Sequence, residues 1–416
     1  KAPEAHGGAD NERICAMTEP LAASHLPAIQ WSLVLALAAL VGYACQRQLG
    51  LPRVLGYAAV GSIAGFFGLG AALWPLHGPV LLLLELGIAV VLFECGARIN
   101  VRWFVHNPMV LVQSVLEASL TYAAVFYGLQ AVGVEARSAG PLGLIAMAAS
   151  PVLLSRVIAD TRAAGAVTDR ALTLSTLSTL YALVLSAAKA QIFANPQESL
   201  WHDITPVLQV LLVSAVVAGV LFALIHAVLR WMSPLSQNTA IVLLALIAAT
   251  AASASGLGGS APLAALLAGM VLKFFRPQPL PWTQALGSIS ALLGMVVFVL
   301  VAAVAAHAPW TGSIPLAVLA LVGLRLVAKT VGIGLGHWGS HTHWRQTLWT
   351  ACTMAPLSAV ALVMTVPFTT ISGGETIAGI ALPTILLMEL LGAMAATWAL
   401  RRAGEARDTL GVRHDA

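Results

Sequence analysis

The chain sets hydroxyls, carboxylates and cations in the middle of stretches that are otherwise apolar. Ser175, Thr176, Ser178 and Thr179 interrupt ALTLSTLSTLYALVLSAAK, Ser150 and Pro151 fall near the middle of GLIAMAASPVLLSRVIAD, and Pro356 and Ser358 stand near the middle of TACTMAPLSAVALVMTVPF. Glu85, Glu94, Glu117 and Glu389 lie inside apolar runs, as do Arg325 and Lys329, four residues apart. Hydroxyl and carbonyl oxygens suit hard cations, carboxylates bind and release protons, and buried cations balance either. These are the parts of an ion site that can also handle protons.

The elements that position them are membrane helices. Of 416 residues 59% are hydrophobic and 9% charged, against about 25% charged in soluble domains. Roughly 30 Å of hydrocarbon needs about 20 apolar residues per helix, and thirteen such segments are predicted. They cover about 28–46, 54–72, 80–97, 108–131, 141–160, 171–194, 205–229, 238–256, 261–275, 285–307, 313–336, 346–369 and 376–400.

Of the 21 lysines and arginines, only Lys1, Arg13, Arg137 and Lys189 fall on one side of this arrangement, with Arg325 and Lys329 inside a helix. The bias of basic loops toward the cytoplasm then puts the N-terminus outside and the C-terminus inside, in a multi-pass protein of the inner (plasma) membrane. Residues 1–27 form an extracytoplasmic segment, 28–402 the transmembrane domain and 403–416 a cytoplasmic tail.

Pro151 and Pro356 each remove a backbone donor and clash with the preceding turn, so the fifth and twelfth helices are broken at membrane depth. The carbonyls freed there would join Ser150, Ser178, Thr179 and Ser358 as ion ligands. The fourth to sixth helices repeat, with opposite topology, in the eleventh to thirteenth: a straight span, a broken one, then one with a polar centre. That order predicts inverted repeats whose two broken helices cross near the midplane at the site.

A carboxylate at depth costs about 2.5–3.5 kcal/mol on insertion scales, which makes Glu389, Glu94 and Glu117 candidates for proton coupling. Glu389 would be compensated by Lys329 or Arg325, and Glu94 has a simpler partner in Arg98 at i,i+4. Gly61, Gly65 and Gly68 read as helix packing. The four cysteines are scattered and read as packing residues, and His337, His341 and His343 as a solvated loop without carboxylate or cysteine partners. No metal or cofactor site is expected. Nucleophile elbow and phosphate loop are both missing, so an enzyme is not expected; neither is a nucleic-acid partner.

Several strings resemble the monovalent cation:proton antiporter superfamily, specifically its Kef-type and Nap-type sodium or potassium exchangers. LGLPRVLGYAAVGSIAG is similar to the family's first conserved turn and helix, ELGIAVVLFECGARI to its third helix and PLAALLAGMVL to a later small-residue helix. ASPVLLSRVIADT resembles the broken ion-site helix and LRLVAKTVGIGLG the helix with the membrane lysine. The resemblance covers nearly all of residues 28–402. It implies alternating access, with core helices at about 108–194 and 313–400 moving against a scaffold at about 28–97 and 205–307 that forms a homodimer, and regulation of the Kef kind by a separate chain.

The family carries Asn-Asp or Asp-Asp where this chain has Ser178 and Thr179, and a hydroxyl does not titrate near neutral pH. Exchange of Na⁺ or K⁺ for protons therefore needs another acid, Glu389 foremost. Two further readings stay open on the same fold: an anion transporter, drawn by Arg325, Lys329 and half-helix N-termini, and a sensor or partner subunit that moves nothing.

Overall fold

Prolines and glycines set where the helices of this chain stop and start. The computed structural model describes residues 29–99, 101–194, 200–233, 236–276, 283–308, 310, 312–336, 343–357, 359–371 and 373–406. Among them every regular element is helical: α1 (Ile29–Leu49), α2 (Arg53–Phe66), α3 (Gly78–Gly96), α4 (Val101–His106), α5 (Pro108–Ala131), α6 (Ala136–Met147), α7 (Pro151–Thr161) and α8 (Ala166–Ala194) come first. The second half holds α9 (Leu200–Trp231), α10 (Gln237–Gly256), α11 (Ala261–Phe275), α12 (Thr283–Ala306), α13 (Ile314–Leu335), α14 (Trp344–Thr353), α15 (Ala359–Thr365) and α16 (Gly374–Arg402).

Ten stretches among the described residues have the length and hydropathy of a membrane span, α6 and α7 counting as one. Thirteen were expected. The remainder are apolar but short: α2 with 14 residues, α11 with 15 and Ala359–Phe368. At about 1.5 Å per residue α2 and α11 reach roughly 21–23 Å, less than the hydrocarbon thickness.

Both proline-marked helices are interrupted. Between α6 and α7, Ser150 caps the new helix, its Oγ accepting from the Leu153 N–H at 3.2 Å, and Pro151 takes the first helical position, where a missing N–H costs nothing. Between α14 and α15 the chain is irregular around Pro356. The two interruptions touch, for the Ser150 N–H donates to the Pro356 carbonyl at 3.1 Å.

Among the described residues the helices bury three apolar clusters, two of them large. The larger one is built mainly from α3, α5–α8 and α12–α16. The other joins α3, α9, α10 and α11. Two glycines permit close approach: a Cβ at Gly332 of α13 would fall on the Glu117 backbone of α5, and one at Gly65 of α2 on the Ala303 carbonyl of α12. Leu212, Val216 and Val220 of α9 and Leu33, Leu37 and Leu40 of α1 point outward, as a hydrocarbon surrounding requires. At the other end, the Glu405 carboxylate closes the start of α8, accepting from the Val167 and Thr168 N–H groups at 2.8 and 2.7 Å.

Candidate functional site

The end of α6 leaves four successive carbonyls without helical donors, and four side-chain donors meet them. Arg325 Nε donates to Ala146 O at 2.9 Å and its Nη2 to Ala148 O at 2.9 Å. Lys329 Nζ donates to Met147 O at 3.0 Å, and Thr179 Oγ1 to Ala149 O at 2.5 Å. Arg325 also crosses to the second interruption, Nη1 donating to Ala355 O at 2.5 Å and Nη2 to Pro356 O at 3.1 Å. One planar guanidinium thus holds both breaks, and the C-terminal ends of α6 and α14 supply the partial negative charge that makes a fully buried cation tolerable there.

Lys329, one turn further along α13, forms an ion pair with Glu117 Oε1 of α5. Both side chains are buried, at 1% and 0% exposure, so the pair sits in a medium where charge is costly. Glu117 keeps Oε2 buried without a hydrogen bond. Thr121 Oγ1 lies 3.4 Å from Oε1 and donates at 2.7 Å to the Glu117 carbonyl. The result is a carboxylate with spare lone pairs, paired with a buried ammonium that also reaches the end of an interrupted helix.

The carbonyls freed at the breaks, expected as ion ligands, accept here from Arg325, Lys329 and Thr179. Lys329 pairs with Glu117 and Arg325 with carbonyl dipoles, whereas the sequence suggested either as the counter-charge of Glu389. Glu389 is fully buried on α16, between Met388, whose Sδ is 3.8 Å from Arg325 Nη1, and Gly392, which packs on Pro356.

Of the other expected ligands, Ser150 caps α7, and Ser178 Oγ turns back to the Leu174 carbonyl of its own helix at 3.1 Å. Thr179 also donates to Ser175 O at 2.7 Å, so its hydroxyl is a strut between α8 and the end of α6. Ser358, His337 and His341 lie outside the described residues, and the His343 backbone carbonyl receives the Thr347 N–H at the start of α14. Glu94, expected to pair with Arg98, instead accepts at Oε2 from Ser290 of α12 at 3.1 Å. Glu85 accepts from Ser255 at 3.1 Å.

A model of the transmembrane sodium/hydrogen exchangers matches residues 35–401. The chain belongs to the sodium/hydrogen exchanger family. The superfamily suggested by the sequence strings is therefore the right one. Two solved structures share the exchanger fold, both of the sodium proton antiporter MjNhaP1 from Methanocaldococcus jannaschii. The one at pH 8 is 18% identical, with a TM-score of 0.68 over 91% of this chain and 98% of that one. The other, from an electron-microscopy map, is 18% identical with a TM-score of 0.72 over the same shares. No curated protein matches in sequence.

Within this exchanger, sequence reasoning passed over Gln113, Arg170 and Tyr181. Gln113 donates to Ile333 O at 2.7 Å and accepts from Arg170 Nη2 at 2.8 Å, tying α5, α13 and α8 one turn from Glu117. Tyr181 OH is 3.0 Å from Ser114 Oγ. A usable signal existed: Gln113, Glu117 and Thr121 recur every four residues, a polar stripe on one face of an apolar helix.

Thr179 offers a direct probe of the lost family acid. An ionised aspartate there has no proton for Ala149 O and would place like charge against a carbonyl oxygen. Thr179→Asp is expected to lower thermal stability in cation-free buffer and to regain it as Na⁺ or K⁺ is added, measured by unfolding in detergent. A variant as stable as the parent without cation would sink this account of Thr179.

Proposed function

We propose that this exchanger moves a monovalent cation, Na⁺ or K⁺, against protons by alternating access, and that Glu117 and Lys329 couple the two. The observation that carries this is the buried ion pair with one carboxylate oxygen unused, on the wall of a broken helix. With Lys329 protonated, its ammonium fills the cation's place on Glu117. Loss of that proton frees the carboxylate, and a cation can bind Glu117 with neutral oxygens such as Met147 O and Thr121 Oγ1 nearby. Reprotonation of Lys329 expels it. One proton leaves for each cation that binds, so the two loaded forms carry equal charge. Glu389 remains a second buried acid in the same core.

The same proposal includes thirteen spans arranged as inverted repeats, the core and scaffold division at about 108–194 with 313–400 and 28–97 with 205–307, a homodimer, and an inner-membrane setting. Reconstitution into liposomes with an internal pH dye tests it, adding Na⁺, K⁺ and a panel of anions in turn. Dye responses to cations alone support exchange. Responses to anions alone, or silence with every ion, would favour the anion or non-transporting readings.

Orientation has its own test. Arg137, before the buried part of α6, and Ala164, between α7 and α8, are both exposed. Single cysteines at Arg137 and Ala164 in intact cells are expected to react with a membrane-impermeant thiol reagent at Arg137 only. Labelling at Ala164 alone reverses the proposed topology.

A further inference from the structure

Away from the helix crossing, α7 faces α2, α3 and α12 across a cavity of about 440 Å³ lined by Arg53, Tyr57, Glu94, Arg98, Arg156 and Asp160. Two ties cross it. Asp160 of α7 accepts from the Arg53 N–H of α2 at 2.8 Å, with Arg53 Nε 3.7 Å from its other oxygen. Arg156 of α7 donates through Nη2 to Ser290 Oγ of α12 at 2.5 Å, and that hydroxyl donates to Glu94 Oε2 of α3 at 3.1 Å. The second tie is unusual, because opposite charges are joined through a shared hydroxyl while Arg156 Nε and Glu94 Oε1 stay buried without hydrogen bonds. A buried polar network left partly satisfied is worth less than a complete one, so this arrangement is easily displaced.

Its place in the fold gives it leverage. α7 begins at Pro151, whose neighbours form the helix crossing, and Arg156 lies little more than one turn beyond. A shift of Arg156 past Ser290 is therefore a shift of the crossing relative to α3 and α12. On the far side of the same layers a smaller cleft, about 130 Å³, separates Leu183, Ser186 and Met364 from Glu85, Ser255 and Ser260. We infer that Arg156, Ser290 and Glu94 form a positioning lock that holds the broken-helix core in the arrangement seen here, with Ser290 as the element that releases it.

The inference rests on the exchange reading for its purpose but can be tested without transport. With Cys15, Cys45, Cys95 and Cys352 replaced by alanine, Ser186→Cys places one thiol in the far cleft, where residue 186 is now 4% exposed. Adding Ser290→Ala is expected to speed its reaction with a small maleimide roughly ten- to hundredfold, the change that loss of one hydrogen bond to an ion produces. Ser290→Thr keeps the hydroxyl and is expected to label at the parent rate. Glu94→Gln, nearly isosteric, is expected to label as fast as Ser290→Ala and provides a second route if that variant does not fold. In liposomes the maximal exchange rate should change with KM for the cation unaltered. Equal labelling in parent, Ser290→Ala and Glu94→Gln overturns the lock. Labelling that responds while every liposome stays silent overturns the exchange reading instead and leaves the lock in place.

Discussion

Glu117→Gln is expected to give a folded protein in which Na⁺ and K⁺ no longer move protons. The amide matches the carboxylate in volume and still accepts a hydrogen bond, but it carries no charge for a cation or for the Lys329 ammonium. Removing one member of a buried pair leaves the other uncompensated at about 3–5 kcal/mol, so Lys329 would meet that cost by staying neutral, and cation-dependent dye signals should fall by roughly a hundredfold or more. Lys329→Leu alone would strand the carboxylate and lower stability. The double variant, Glu117→Gln with Lys329→Leu, removes both charges and is expected to recover stability without recovering exchange. Retention of parental exchange by Glu117→Gln would remove this pair from the mechanism and make Glu389→Gln, then Glu94→Gln, the next variants to measure.

Arg325→Leu is expected to abolish folding rather than activity. The guanidinium satisfies the carbonyls of Ala146, Ala148, Ala355 and Pro356. The Pro356 carbonyl would keep the Ser150 N–H, but each of the other three, left bare, costs about 1–3 kcal/mol, and together they reach well into the entire stability of an ordinary domain, roughly 5–15 kcal/mol. Arg325→Lys should rescue only in part, because a point charge cannot span both interruptions as a planar fork does. Size-exclusion profiles of membrane extracts would separate the cases. A monodisperse, heat-stable Arg325→Leu protein would mean that the carbonyls find donors elsewhere.

Much of this architecture was legible from the chain because membrane burial makes polar residues conspicuous. Pro151 and Pro356 announce interruptions through backbone chemistry that needs no tertiary information. Arg325 and Lys329 stand out among apolar neighbours, and the family strings are ordered along almost the whole chain. Their partners were not legible. A buried cation was matched to the nearest conspicuous acid, Glu389, whereas Arg325 is compensated by backbone dipoles, which have no letter in a sequence. Glu117 was in view as a candidate, but its pairing depends on how α5 and α13 meet face to face, with Gly332 removing the side chain that would hold them apart. Helical spacing offered Arg98 as a partner for Glu94, a local rule that yielded to the hydroxyl of Ser290 on a helix far away in the sequence.

The grip of Arg325 on both interruptions also has an electrical side. Arginine does not lose its proton in proteins, so the crossing carries one fixed positive charge through every stage of a cycle. In the proposed scheme Glu117 is neutralised either by the Lys329 ammonium or by the bound cation, so the cation-loaded and proton-loaded forms differ by no charge at all. A full unit charge traversing the membrane potential is worth about 2.3 kcal/mol per 100 mV, and a core that travels part of the way feels that fraction. Voltage would then hasten one stroke and retard the return stroke by the same factor. The membrane potential could set the pace of such an exchanger without shifting the ion gradients at which it comes to rest.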